Sequence, residues 1–155
     1  MTDATETGAP VRTAAAVILD AQGRVLLVRK RGSTFFIQPG GKREPGETVL
    51  ETLARELREE LGVELRPGSA IALGEFEHVA VNEPGRRVRA EVFRVEILGT
   101  PLPGAEIVEL AWVWPGGPRT VKVAPLSAEL ILPRVAAAAA EETEKAARGR
   151  PFPAR

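Results

Sequence analysis

Apolar residues recur along this chain in two rhythms, and each marks a different kind of element. Over residues 11–19 and 24–31 they form β-branched-rich runs around Asp20, Ala21, Gln22 and Gly23, a strand–turn–strand pattern that reads as a hairpin. A short strand is predicted over 35–38, leading into Pro39, Gly40 and Gly41, whose glycines let backbone groups approach a ligand closely. Further strands are predicted over 71–78 and 88–97, joined by a turn at Asn82, Glu83, Pro84 and Gly85, and over 110–114. Pro115, Gly116, Gly117 and Pro118 then form a loop placed to edge a pocket. The second rhythm is helical. Leu50, Leu53, Ala54, Leu57 and Leu61 recur at a period near 3.6 and predict one apolar stripe. Near the C-terminus, Ser127 is placed to cap a short helix through Leu132 that Pro133 breaks or restarts. Residues 134–148, with alanines at 136–140, have strong helix propensity but a weaker stripe.

The central helix has legible ends. Thr48 and Glu51 stand in the spacing of a capping box, and Gly62 occupies the position where a glycine terminates a helix, with Val63 able to fold back on the last turn. Between them, Glu56, Glu59 and Glu60 are spaced i, i+3 and i+4, so three like charges gather beside the apolar stripe while Glu51 and Arg58 point elsewhere. Such runs are common on solvated helix faces, where glutamate and arginine are good helix formers. A hard divalent cation with oxygen ligands would turn their repulsion into binding.

The flanking residues decide between these readings. Residues 41–63 match Gly-x5-Glu-x7-Arg-Glu-U-x-Glu-Glu-x-Gly-U, where U is a bulky aliphatic residue, with Gly41, Glu47, Arg55, Glu56, Glu59, Glu60 and Gly62 on the specified positions. The stretch resembles the signature of the Nudix hydrolases. That resemblance implies an α/β fold, a three-layer α/β/α sandwich with a mixed β-sheet, and hydrolysis of a nucleoside diphosphate linked to another group. It implies that Glu56, Glu59 and Glu60 bind Mg2+, or Mn2+ in its place, with the carbonyl of Gly41. It implies that Arg55 pairs with Glu47 to hold the loop against the helix. Pyrophosphate carries dense negative charge, which a cation neutralises, and a carboxylate near the attacking water can take its proton. Glu56 is the candidate for that role, although the base differs between family members.

Other candidates lie outside the signature. Glu106 and Glu109 precede Trp112, in a region where many Nudix enzymes recruit an extra carboxylate. Glu106 is read as a metal ligand and Glu109 as a substrate contact, against the alternative that each is an exposed glutamate. Arg29 ends an apolar run at a place where relatives contact substrate phosphate. Phe35, beside Phe36, is a candidate to stack on a substrate ring. His78, the single histidine, is left outside the site.

Composition narrows the function classes. The 155 residues suit one domain, read as 11–148 with loose tails at 1–10 and 149–155, and no internal repeat is visible. Lys+Arg and Asp+Glu both total 21, so no net basic field favours a nucleic-acid polymer. The sequence has no cysteine, which excludes disulfides and thiolate metal sites and argues against the isoprenoid isomerases that share the Nudix fold but need a catalytic cysteine. No apolar run has the length of a membrane span and the first residues lack a signal-peptide core, so a cytoplasmic protein is expected. Three readings remain: a hydrolase of nucleoside-diphosphate derivatives, a pyrophosphatase that clears oxidised deoxynucleoside triphosphates, and a non-catalytic nucleotide sensor. Sensors usually lose signature glutamates, and all are present here. Dimers are common in the family, which leaves a homodimer open.

Overall fold

The computed structural model describes residues 8–149. Of the two expected tails, 1–7 and 150–155 lie outside the described residues. The hairpin forms as β1 (Val11–Val17) and β2 (Val25–Lys30), joined through a turn in which Asp20 Oδ1 accepts from the N–H groups of Gln22 and Arg24. Then come β3 (Phe36–Ile37), β4 (Gly40–Lys42), helix α1 (Val49–Leu61), β5 (Glu64–Leu65), β6 (Ile71–Val79), β7 (Arg87–Arg94), β8 (Ile97–Leu98) and β9 (Ile107–Val113). A π-helical turn (Leu126–Ile131) runs directly into α2 (Leu132–Gly149).

Strands β4-β1-β7-β6 form a mixed sheet, in which β1 and β7 run parallel and the outer pairs antiparallel. Strands β3-β2-β9 form an antiparallel sheet, and β5 pairs with β8. Successive strand side chains point to opposite faces, and here both faces are covered. Ala14, Ala16, Leu26 and Val28 pack with Leu53, Leu57 and Leu61 of α1. Ala15, Val17, Val25 and Leu27 pack with Ile131, Leu132 and Val135 on the other side. Burial on both faces is why β1 and β2 read as continuous apolar runs, and the result is a three-layer α/β/α sandwich.

Helix α1 starts and stops where expected. Thr48 Oγ1 accepts from the Glu51 N–H while Glu51 Oε1 accepts from the Thr48 N–H. Gly62 adopts φ +67°, its N–H donating to the Arg58 carbonyl. The buried face differs from the predicted stripe. Leu50 is exposed, while Thr52 and Glu60 are buried with Leu53, Leu57 and Leu61. The burial arc is thus turned by roughly 60° from the apolar stripe, towards Glu56 and Glu60. Polar residues hold core-facing positions because the site, described below, uses that face.

Two further expectations are corrected. Ser127 makes no capping bond, and of the two outcomes left open at Pro133 the helix restarts there and does not break, the π-helical turn giving way to α2 at Leu132. The turn widens so that the Leu132 N–H reaches the Ser127 carbonyl, and the chain passes Pro133, which has no N–H to donate, into α2. The strand read over 88–97 ends at Arg94, level with the end of its partner β1 at Val17, and Ile97–Leu98 pairs with β5 instead.

Replacing Thr48 with alanine removes one half of the capping box. It is expected to cost about 1 kcal/mol, lowering the melting temperature by roughly 2–4 °C. An unchanged thermal unfolding midpoint would show that packing alone holds the start of α1.

Candidate active site

Arg55 sits at the centre of a polar clasp. Its Nε and Nη2 donate to the two oxygens of Glu47 at 2.7 and 3.0 Å, Nη1 donates to Glu56 at 2.8 Å, and Nη2 also reaches the Lys42 carbonyl at 3.1 Å. A longer contact of 3.5 Å joins Nη1 to Glu59. Glu47 accepts further bonds from the Glu44 N–H and Thr52 Oγ1, which explains why Thr52 is tolerated in a buried position. The Arg55 bonds, with help from the Glu44 N–H, hold the Glu47 carboxyl down to about 2. One planar guanidinium therefore ties the loop before α1, strand β4 and the carboxylates of α1 into a single unit.

The glycines of β4 lie against those carboxylates. A methyl group on Gly41 would fall 2.5 Å from the Glu56 carboxyl carbon. Only glycine lets the backbone come this close. The Gly40 N–H donates to Glu60 Oε1 at 3.0 Å, and Gly40 itself has φ +143°. Glu60 is 5% exposed, and burial pushes its carboxyl up to about 8. Burial also raises Glu56, opposed by its bond to Arg55. At the far end of α1, the Leu102 and Gly104 N–H groups donate to the Leu61 and Glu60 carbonyls. That loop carries Glu106 towards Glu60, whose charged form it disfavours.

These groups border a cavity of about 680 Å³. Gly41, Glu56, Glu59, Glu60 and Glu106 line it, with Arg55 and Glu47 behind them as supports. Arg29, Phe35 and Glu109 do not line it. Arg29 is spent on Glu109 at 2.9 Å and on the Ser33 carbonyl, and Phe35 lies under the Lys122 ammonium, 4.4 Å from the ring centroid. The cation that does face the carboxylates is the next residue, Lys30, which lines the cavity and favours the charged forms of Glu56 and Glu60. Strand alternation is the signal that finds it. Leu26 and Val28 face α1, so Lys30 shares their face and Arg29 does not. Lys42 and Gln38 are two further lining residues outside the expected set.

The donors suit a hard divalent cation. Cavity-lining carboxylates and the Gly41 backbone supply oxygen, and no histidine lines the cavity. Among the described residues, no three carboxylates stand together as a ready cation cage. Arg55 draws Glu56 and Glu59 to itself, and the Gly40 N–H holds Glu60.

A model of the NUDIX domain matches residues 9–125, well over half of the chain. The chain belongs to the Nudix family. Human 8-oxo-dGDP phosphatase NUDT18 is 35% identical over 134 residues, taking in 80% of this chain but 37% of that protein. The CTP pyrophosphohydrolase of Escherichia coli (strain K12) is 29% identical over 120 residues, 75% of this chain and 85% of that one. In three dimensions, the MutT NUDIX hydrolase from Burkholderia pseudomallei has a TM-score of 0.66 at 23% identity, covering 80% of this chain and 99% of its own. This Nudix chain thus spans little more than a third of its human relative and most of the two bacterial ones.

Glu60 gives a test of the site that needs no substrate. Its folded-state value of about 8 lies above the ordinary 4.5, so its contribution is full below the ordinary value and is lost as pH rises through the folded one. In chelator, Glu60→Gln should therefore melt several degrees above the parent at about pH 9 and level with it at about pH 4. A difference that does not change with pH would mean Glu60 is not a strained buried acid.

Proposed function

We propose that this Nudix protein is a Mg2+-dependent hydrolase, with Mn2+ able to substitute, that cleaves the pyrophosphate bond of a nucleoside diphosphate linked to another group. The observation that carries this reading is the gathering of Glu56, Glu59, Glu60, Gly41 and Lys30 around one cavity, with Arg55 clasping the carboxylates from behind. Glu56, Glu59, Glu60 and the Gly41 carbonyl would hold the cation, with Glu106 as an additional ligand. The cation would neutralise the pyrophosphate and stabilise charge on the leaving oxygen. Lys30 supplies a fixed positive charge for a phosphate oxygen. Glu56 takes the proton of the attacking water at a carboxylate oxygen, its basicity raised by burial against the opposing bond from Arg55. The leaving phosphate group departs on the side away from the attacking water.

The named activities of relatives agree with a small nucleotide substrate. The E. coli relative is a CTP pyrophosphohydrolase, and the human one an 8-oxo-dGDP phosphatase. The latter favours an oxidised deoxynucleotide as the second reading. No helix among the described residues is long and apolar enough to cross a membrane. The proposed setting is the cytoplasm, where such nucleotides are made and used.

A panel of nucleotides and their derivatives with Mg2+ should release nucleoside monophosphate from at least one substrate. Glu56→Gln and Glu60→Gln should each lower kcat by roughly 10²–10³. Turnover that survives both substitutions would overturn the site, and tight nucleotide binding without turnover would make the protein a sensor. The two neighbouring cations separate cleanly. Lys30→Ala should lose roughly 10- to 100-fold in kcat/KM, whereas Arg29→Ala should stay within about twofold because its partner is an exposed glutamate.

A further inference from the structure

Gln38 stands just before the glycines of β4, at a position where a core residue would ordinarily be apolar. It is 6% exposed and lines the cavity. Its Nε2 donates to the Ala16 carbonyl at 2.9 Å. A carbonyl can only accept, so the amide nitrogen must face Ala16, and the reverse orientation would set two acceptors together. Oε1 is thereby committed to the other direction, where it is buried without a partner. Buried acceptors are rarely left so, and each exception calls for a cause. Among the described residues the one other buried side-chain atom in this state is Arg119 Nε, which lies outside the cavity, on a side chain whose remaining nitrogens bond the Trp114 and Pro115 carbonyls.

The surroundings of Gln38 suggest what its oxygen is for. The cavity wraps around β4, with carboxylates on the α1 side. Its other walls include Thr13, Ala15, Ala90, Ala124 and Leu126, all small or aliphatic, of which Ala15, Ala90 and Leu126 belong to the cluster that packs on the π-helical turn and α2. No aromatic side chain lines the cavity, so a ring entering here is not held by stacking and must be oriented by a polar group. Gln38 is three residues from Gly41, at most about 10 Å of chain. A nucleotide with its phosphates at Gly41 would bring its base to Gln38.

Building on the hydrolase reading above, we propose that Gln38 determines base specificity: its Oε1 accepts a hydrogen bond from an exocyclic amino group, selecting cytosine and adenine nucleotides over their keto counterparts. With one Nε2 hydrogen held by Ala16, the group Gln38 leaves wholly without a partner is its acceptor, Oε1. Uracil and hypoxanthine place an oxygen where cytosine and adenine place an amine, so they would set acceptor against acceptor.

The test compares CTP with UTP and ATP with ITP, by kcat/KM with Mg2+, and CMP with UMP by calorimetric binding in chelator. For the wild type, the amino member should be favoured by about 10- to 100-fold in at least one kinetic pair, and CMP should bind more tightly than UMP. In Gln38→Met, which keeps side-chain length without the oxygen, both preferences should shrink to within about threefold. Equal or inverted preferences in the wild type, or wild-type ratios retained by Gln38→Met, would overturn the assignment. If Gln38→Met does not fold, Gln38→Leu, which also lacks the oxygen, takes its place with the same expected loss of preference. Absence of turnover together with a retained CMP preference would remove the hydrolase reading and keep Gln38 as the selector of a binding protein. Absence of both would remove the two together.

Discussion

The ion-pair clasp of Arg55 is the constraint on which the active edge of this molecule depends. Four acidic residues, Glu47, Glu56, Glu59 and Glu60, are drawn into one corner, three of them within about one turn of a single helix. Without a counter-charge that arrangement would repel itself and splay the loop before α1 from β4. A lysine in place of Arg55 could pair with one carboxylate. The guanidinium, with its rigid fork of donors, bonds Glu47 through two nitrogens, Glu56 through the third, and still reaches the Lys42 carbonyl. It leaves the cavity side of Glu56 and Glu59 free for a ligand.

Glu60 shows the opposite solution to the same problem. It has no cationic partner in hydrogen-bond contact and accepts from the Gly40 N–H, so its charge is suppressed by burial instead of balanced. A carboxyl in that condition costs stability whenever it ionises, and on the proposed reading a cation would restore its charged form. Stability and function thus pull on the same side chain in opposite directions. The apolar layers on both faces of the sheets are what allow the fold to tolerate it.

Much of this was legible in the sequence, and the failures share a cause. The ends of α1 could be read because Thr48, Glu51 and Gly62 act through local bonds that sequence spacing reports directly. The carboxylates and Arg55 could be read because their spacing is fixed by one helix. The orientation of α1 could not, since Thr52, Glu56 and Glu60 face inward for reasons that lie in other elements. The same limit applies to Arg29 and Lys30. Adjacent residues on a strand differ in face, and in a run apolar on both faces nothing local says which one meets the helix. Strand β4 was invisible because its first two residues are glycines with no strand propensity. The wide turn before Pro133 escaped for a related reason: a proline ordinarily ends a helix, and only the geometry of the preceding turn lets it continue.

The glycines of β4 also explain why phosphate and base can share one cavity. Glycines at 40 and 41 expose backbone on both sides of an edge strand, where side chains would have walled the carboxylates off from the space under the π-helical turn. Gly41 admits Glu56 from one side, and Gly40 passes close to the Ala14 carbonyl of β1 on the other. On the proposed reading a substrate would lie across the strand, its charge met where the acids and Lys30 converge and its identity read at Gln38. The two tasks fall on different layers of the sandwich. The chemistry can stay constant on the α1 face while substitutions on the opposite face change what is bound.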